Sequence, residues 1–122
     1  MKDIALFVKD FQKGTELSNL LANIDMHVTF AESIYDLPDQ CQIGIIDLDD
    51  EKFGNVKFVS ELNRHTEMML LGYMEKITKD IQDKLKAAGC NMILPTASVV
   101  KNIPRVPREQ QKWRSSKRKN AT

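Results

Sequence analysis

Apolar residues recur along the chain in short runs that stop at polar residues. Residues 4–8 are followed by Lys9 and Asp10, and residues 43–46 are followed by Asp47. Runs of this length are typical of strands buried on both faces, whose carboxyl ends reach the rim of a sheet. Five segments show either this pattern or the alternation of a half-buried strand. They are residues 4–8, 26–30, 42–47, 68–71 and 91–94.

Segments with helical spacing separate these strands. Residues 14–24 repeat apolar side chains at the positions of one helical face, and we expect this helix to open at Gly14. Further helices are predicted over residues 53–65 and 78–88, and Ser33 is expected to cap a short helix. Strands that alternate with helices form right-handed crossovers and a parallel sheet covered on both faces. The chain is therefore expected to be an α/β protein, a three-layer α/β/α sandwich.

The last segment departs from this alternation. Ser98 is expected to cap a short helix, and Pro104 and Pro107 are expected to break it before a full amphipathic fifth helix forms. This change of pattern predicts two parts. Residues 1–104 would form the folded domain, and residues 105–122 a basic C-terminal tail.

The charge distribution supports this division. Residues 1–100 hold 10 Lys and Arg against 16 Asp and Glu, a net charge of −6, whereas residues 101–122 hold 8 against 1, a net charge of +7. A basic tail with an aromatic residue could bind the phosphates of a nucleic acid and stack a base. It could equally be solvated, or form a helix whose Trp docks on the acidic body. The candidate nucleic-acid contacts are Lys112, Trp113, Arg114, Lys117, Arg118 and Lys119.

Neither a secretion signal nor a membrane-spanning run is recognisable, so a cytoplasmic location without membrane attachment is expected. In such a compartment thiols stay reduced. We therefore expect Cys41 and Cys90 to be two buried free thiols rather than a disulfide.

The order and spacing of the strand ends resemble the receiver domain of bacterial two-component response regulators. The resemblance is carried by Phe-Val-Lys-Asp at residues 7–10, Ile-Ile-Asp-Leu at 45–48, Leu-Leu-Gly at 70–72 and Ala-Ala-Gly-Cys-Asn-Met-Ile-Leu-Pro at 87–95. It covers about residues 3–103. It implies a flavodoxin-like, or CheY-like, sheet of five parallel strands in the order 2-1-3-4-5, and a role in signalling.

The phosphorylation site of that family uses five positions, and this chain departs from the family pattern at three of them. Asp47 matches the phosphoacceptor and Asp10 the second of two acidic Mg²⁺ ligands, but Lys9 stands at the first. Gly72 stands where a Thr or Ser ends strand 4, and Leu94 where a Lys precedes the proline. Phosphoryl transfer depends on charge stabilisation by a metal, a hydroxyl and a cation. The resemblance therefore implies a vestigial phosphoacceptor site.

Lys9 has two interpretations. Its ammonium could pair with Asp10 and Asp47 in place of the metal, or it could extend into solvent and leave these carboxylates hydrated. Because only Asp10 and Asp47 remain as ligands, we expect no saturable Mg²⁺ binding and no cofactor. The acidic residues 49–51 could supply other metal oxygens, although such a run more often forms a solvated loop.

The sequence thus predicts a non-enzymatic, pseudo-receiver signalling module that acts by protein-protein interaction and is not phosphorylated at aspartate. The partner would be a protein, which could be a second copy of the chain in a homodimer, and residues 78–104 are the expected contact face. The alternative is a nucleic-acid-associated regulator that binds through the basic tail. A third reading, an active phospho-receiver, requires that Asp47 be modified despite its missing helpers.

Overall fold

The computed structural model of the chain describes the backbone of residues 2–120 and the side chains of residues 2–116. The strands are β1 (Lys2–Phe7), β2 (Met26–Phe30), β3 (Ile43–Asp47), β4 (Met69–Met74) and β5 (Met92–Pro95). All neighbouring strands run parallel. They form a five-stranded sheet in the order β2-β1-β3-β4-β5, which confirms the predicted topology.

Helices cover both faces of this sheet. They are α1 (Phe11–Ala22), α2 (Val56–His65), α3 (Lys79–Ala88), α4 (Thr96–Asn102) and α5 (Val106–Asn120). One buried apolar cluster joins α2 and α3 to Ala5 and Phe7 of β1. A second cluster joins α1, α4 and the start of α5 to Ile4 and Leu6 of the same strand. Because successive residues of a strand face opposite sides, the helices form two layers and the predicted three-layer sandwich is confirmed.

Asp10 determines where the first helix begins. Its carboxylate Oδ1 accepts a hydrogen bond from the backbone N–H of Lys13 at 2.8 Å, the contact of a helix N-cap. The helix therefore starts at Phe11, and the predicted start at Gly14 is wrong. The first backbone N–H groups of a helix have no acceptor within the helix. The Asp10 carboxylate supplies one, so the helix can begin before Gly14.

Side-chain caps also begin the next two helical segments. Asn55 Oδ1 accepts a hydrogen bond from the backbone N–H of Phe58 at 2.8 Å, so α2 starts after Phe53, which was predicted to lie within it. Phe53 is fully buried in the preceding turn. Ser33 caps a short 3₁₀ turn (Ile34–Asp36), as predicted.

The fourth strand is longer than predicted. Residues 68–71 were expected to form it, but β4 continues through Gly72 and Tyr73 to Met74. The extension arises from pairing on both sides, because Tyr73 lies in register with Asp47 of β3 and with Leu94 of β5. A strand between two parallel neighbours can satisfy its backbone groups over its whole length.

The C-terminal region contains more helix than predicted. Ser98 lies inside α4 rather than at its N-cap, and α4 gives way at Asn102 to a 3₁₀ turn (Ile103–Arg105) that contains Pro104. Pro107, however, does not prevent a fifth helix, since it lies in the first turn of α5. A proline is tolerated there because the first backbone N–H groups of a helix have no intrahelical acceptor.

The cysteines are free thiols, as expected, although only Cys90 is buried and Cys41 is half-buried. Burial raises the pKa of the Cys90 thiol to about 11, so it stays neutral at physiological pH. Within the residues described, no helix combines the length and the apolar character needed to cross a bilayer.

Candidate functional site

Three carboxylates stand at the carboxyl edge of the sheet, the edge at which open α/β folds bind ligands. Asp10 follows β1, Asp47 ends β3, and Asp49 lies in the turn after β3. Asp47 Oδ1 accepts a hydrogen bond from the backbone N–H of Asp49 at 3.0 Å. Asp49 Oδ2 accepts one from the backbone N–H of Glu75 at 2.9 Å. Together with the N-cap contact of Asp10, these bonds fix the positions of all three carboxylates.

The three carboxylates line a surface cleft of about 820 Å³, here called the acidic cleft. Two further acidic residues, Glu16 and Glu75, also line it, and its cationic residues are Lys13 and Lys76. Lys13 is already engaged, since its Nζ lies 2.9 Å from Glu16 Oε1. The cleft therefore has a net negative charge, and Asp10, Asp47 and Asp49 form no ion pair among the described residues.

Two hydroxyl-bearing residues, Tyr73 and Thr96, line the same cleft as these carboxylates. Tyr73 is 2 % exposed and lies beside Asp47 in the strand register, on the same face of the sheet. Tyr73 Oη and Thr96 Oγ1 are both buried and have no hydrogen-bond partner within the described part of the chain. A buried polar group without a partner costs about 1–3 kcal/mol. Both residues line the acidic cleft, so these hydroxyls are polar groups that a ligand there could satisfy.

The charges in the cleft disfavour further negative charge. Burial raises the pKa of the Asp47 carboxyl above its usual 3.8, and the negative charges of Asp49, Asp50 and Asp10 raise it as well, against the opposing effect of the Asp49 N–H bond. Burial likewise raises the pKa of the Tyr73 hydroxyl, followed by the charge of Asp47 and its acidic neighbours. The Tyr73 hydroxyl is therefore neutral at any physiological pH.

Lys9 is directed away from the acidic cleft. Its Nζ lies 3.6 Å from Glu32 Oε1, and Lys52 Nζ lies at the same distance from that oxygen. The Lys9 side chain is 48 % exposed. Of the two interpretations of Lys9, the ion pair with Asp10 and Asp47 is not formed among the described residues, and the ammonium instead reaches a surface glutamate.

Gly72 and Leu94 do not line the acidic cleft either. A Cβ at Gly72 would collide with the side chain of Leu48 and approach Cys90, both of which belong to the core on the α2 and α3 side. Leu94 packs against the opposite core cluster, on the α1 side. The structure thus brings Asp10 and Asp47 together and separates them from Lys9, Gly72 and Leu94.

The donor groups at this edge match Mg²⁺ poorly. Mg²⁺ requires several oxygen ligands in octahedral geometry, and the family position occupied by Lys9 offers none. Throughout the described residues, no group of three or more His, Cys, Asp or Glu side chains is placed to hold a metal ion. Asp50 within the acidic run 49–51 instead accepts a hydrogen bond from the backbone N–H of Lys52 at 2.8 Å. No chemical step at this edge is therefore assigned to a metal.

The basic tail lies largely within α5, outside the acidic cleft. Trp113 is half-buried and packs against the core cluster on the α1 side, whereas Arg114 is exposed. Lys112 is exposed, with its Nζ 3.8 Å from Glu109 Oε1. The side chains of the other tail candidates, Lys117, Arg118 and Lys119, fall outside those that the structure describes.

Neither Tyr73 nor Thr96 was identified as a site residue from the sequence. Tyr73 belongs to the cleft because of the register between β3 and β4, which a single sequence does not reveal. Thr96 follows Pro95 directly, so its hydroxyl enters the cleft through the junction of β5 with α4. The sequence signal that could have identified them is the position of each hydroxyl residue, because Tyr73 directly follows Gly72 and Thr96 lies two residues after Leu94.

The strand order and the position of Asp47 define the fold of a response-regulator receiver domain, the CheY-like fold. Comparison with solved structures supports this assignment. A two-component response regulator from Clostridium difficile superposes with a TM-score of 0.80 at 7% identity, over 92% of this chain and 97% of that one. The isolated REC domain of RcsB from Salmonella enterica serovar Typhimurium gives a TM-score of 0.77 at 14% identity, over 92% and 89%.

An orphan response regulator of H. pylori is similar as well, with a TM-score of 0.74 at 15% identity, over 89% of this chain and 96% of that one. No protein-family model matches the chain, and no curated protein matches it. At such low identities the likeness establishes the fold, and the function must be argued from the site.

Proposed function

We propose that this chain is a response-regulator-like signalling module that acts by binding another protein and is not controlled by phosphorylation of Asp47. The observation that supports this most strongly is the surroundings of Asp47. Lys9 pairs with Glu32, Gly72 faces the opposite core, and Leu94 is apolar. The receiver fold is retained while the groups that stabilise a transferring phosphoryl group are missing. A non-enzymatic role, a cytoplasmic location and the absence of a cofactor belong to the same proposal.

The test is to offer the full chain a phosphoryl donor and a phosphoryl mimic. Intact-mass spectrometry after incubation with acetyl phosphate and Mg²⁺ is expected to show no added phosphate. Two-dimensional NMR spectra with Mg²⁺ and beryllofluoride are expected to match the spectrum of the free protein. A phosphate adduct that is absent from Asp47→Asn, or shifts that cluster around Asp10 and Asp47, would overturn the proposal.

A variant with two missing groups restored serves as the positive control. Lys9→Asp supplies a carboxylate, and Leu94→Lys supplies an ammonium next to Tyr73 in the register. Gly72 is left unchanged because a side chain there would collide with Leu48. If the double variant responds to Mg²⁺ and beryllofluoride while the native chain does not, the native chain fails to respond because it lacks these two groups.

The expected contact surface spans residues 78–104, which the structure assigns to α3, β5, α4 and the following turn. β5 forms one edge of the sheet, and Ile81 on α3 is an exposed apolar residue, 38% accessible. Sedimentation equilibrium can test whether a second copy binds here. Ile81→Glu is expected to weaken self-association, whereas Val56→Glu on α2, which is 45% exposed, is the matched control.

A second candidate function is binding of a nucleic acid through α5. The helix places Arg108, Lys112 and Ser115 one turn apart, together with Gln111, along an exposed groove. Such a row of donors suits a phosphate backbone. Trp113, by contrast, is packed against the core, so the basic side chains rather than base stacking support this candidate.

Charge variants test this candidate better than truncation does. Deleting residues 107–122 would also remove Gln110, which is 3% exposed, and Trp113. The combined variant Arg108→Gln, Lys112→Gln and Arg114→Gln keeps α5 while removing three charges. Salt-sensitive retardation of DNA or RNA that this variant abolishes would favour nucleic-acid binding. Retardation that is unchanged in the variant, or absent from the native chain, would exclude the proposed groove.

A further inference from the structure

We propose that the acidic cleft binds an alkylammonium group, presented as a lysine side chain by the protein partner of this module. The inference rests on the proposed function in so far as it names the chemistry of that partner. Two independent observations support it. One is the group of fixed, uncompensated carboxylates, and the other is the pair of buried hydroxyls at Tyr73 and Thr96 that have no partner in the described structure.

A cation from outside the cleft would offset the repulsion between its carboxylates. Asp10, Asp47 and Asp49 are held by backbone donors and cannot easily move apart to relieve their repulsion. The two lysines that line the cleft do not pair with these carboxylates. Lys13 Nζ lies 2.9 Å from Glu16 Oε1, and Lys76 forms no ion pair within the described chain. A cation that enters the cleft would lower the electrostatic cost of keeping Asp47 charged.

An ammonium group fits these acceptors better than the alternatives. It is a compact charge with three donors, whereas a guanidinium is a planar fork suited to a single carboxylate. The acceptors here come from separate elements: Asp10 precedes α1, Asp47 ends β3, and the Tyr73 hydroxyl belongs to β4. Divergent donors on one nitrogen can reach groups on separate elements, and the unbranched stem of a lysine can carry that nitrogen into the cleft.

The surroundings of the cleft favour a protein as the source of the ammonium. Phe11, whose chain neighbours Asp10 and Gln12 both line the cleft, is 84% exposed. Phe30 at the end of β2 is 53% exposed, and its ring lies over Gly14 of α1, the helix that Phe11 begins. A polypeptide with an apolar residue near its lysine can contact the cleft and the exposed ring of Phe11 together. A free diamine would gain nothing from the aromatic residues.

The first experiment is an NMR titration of the full chain with N-acetyl-lysine methylamide. The backbone signals of Asp10, Asp47, Asp49, Tyr73 and Glu75 are expected to shift saturably, and less strongly as salt is added. The same probe acetylated on its Nε nitrogen is neutral and is expected to cause no shifts. Equal shifts with the two probes, or no saturable shifts with either, would overturn the inference.

Variants then test whether Tyr73 and Asp47 contribute to the binding. Tyr73→Phe removes one buried hydroxyl and keeps the ring, so the dissociation constant is expected to rise roughly tenfold, as for loss of a hydrogen bond to a charged group. Asp47→Asn is expected to have an effect at least as large. Tyr35→Phe is the matched control, because Tyr35 is 87% exposed and does not line the cleft. Native-like affinity in Tyr73→Phe, with its fold intact by NMR, would contradict the assignment.

A second comparison identifies the source of the ammonium. The peptide Gly-Phe-Gly-Lys-Gly is expected to bind more tightly than Gly-Ala-Gly-Lys-Gly, and Phe11→Ser is expected to remove that advantage. Butylammonium binding as tightly as the Phe-containing peptide would instead indicate a free amine and overturn the protein source.

These outcomes are separate from the test of the proposed function. Failure of the lysine probes without a response to Mg²⁺ and beryllofluoride overturns only the present inference. A beryllofluoride response overturns the proposed function whether or not lysine binds.

Discussion

Asp10 accepts a hydrogen bond from the backbone N–H of Lys13 at 2.8 Å, so one carboxylate both begins α1 and lines the acidic cleft. Losing this cap leaves a helix N–H without its partner. Asp10→Ala is therefore expected to lower the free energy of unfolding by about 1 kcal/mol, measured by urea denaturation. Asp10→Asn should retain most of the stability, because asparagine caps helices about as well. Equal stability of Asp10→Ala and the native chain would contradict the cap.

The charge on Asp47 is expected to reduce stability at neutral pH. Because the folded pKa is raised, mainly by burial, the folded protein holds the proton more tightly than the unfolded chain does. The resulting contribution to stability is fully present below the usual pKa of 3.8 and is lost as the pH rises through the folded value. Partial solvent exposure keeps the effect modest.

Asp47→Asn cannot ionise and should therefore be more stable than the native chain at pH 7, with the difference shrinking as the pH falls towards 3.8. Unfolding in urea over a series of pH values measures this directly. Asp39→Asn is a control on an exposed loop, where little change is expected. A native chain that is more stable than Asp47→Asn at pH 7 would show that the carboxylate is compensated in solution.

Gly72 is expected to tolerate no side chain. A Cβ there would overlap the side chain of Leu48, and Gly72→Ala should destabilise the fold by about 1–3 kcal/mol, as overpacked cores do. Gly14→Ala is the matched comparison. The closest atom to its Cβ would be in the ring of Phe30, at 3.0 Å, and that ring is half-exposed and can turn, while Val8 Cγ1 at 3.8 Å would be an ordinary contact. Since alanine is the better helix former, Gly14→Ala should not destabilise the protein in thermal unfolding.

The start of α5 is expected to contribute to the core. Val106 is 1% exposed and belongs to the cluster that α1 and α4 share. Val106→Ala should lower the free energy of unfolding by roughly 2 kcal/mol, from lost burial and the cavity left behind. Gln111→Ala, at an exposed position of the same helix, should change it little. Similar denaturation midpoints for the two variants would place Val106 outside the core in solution.

The apolar runs predicted the sheet well, because a strand that is buried on both faces is a nearly continuous apolar run in the sequence. Asp10 and Asp47 were correctly placed at one edge for the same reason, since parallel strands end on the same side. The length of β4 was underestimated because Gly72 is a poor strand former by itself and owes its conformation to pairing with both neighbouring strands.

Groups that depend on register or on long-range packing could not be read from the sequence. Tyr73 enters the cleft because it pairs with Asp47, and a shift of one residue would turn its ring to the other face. The direction of Lys9 depends on Glu32, which lies beyond β2. Pro107 was misjudged because the rule that prolines break helices does not apply to a first turn. The division between residues 1–104 and 105–122 remains a prediction.

Lys2 at the start of β1 donates a hydrogen bond from its Nζ to Gln110 Oε1 in α5 at 3.1 Å, a contact between opposite ends of the described chain. During synthesis, the face of the sheet that carries Leu6 and Ile45 is made early, but α5, the helix that completes its cover, emerges after all five strands. Completion of this layer must therefore follow translation of α5 rather than accompany translation of the sheet. A nascent chain arrested before Val106 leaves the ribosome is expected to be cleaved readily by protease, and one released in full to resist it.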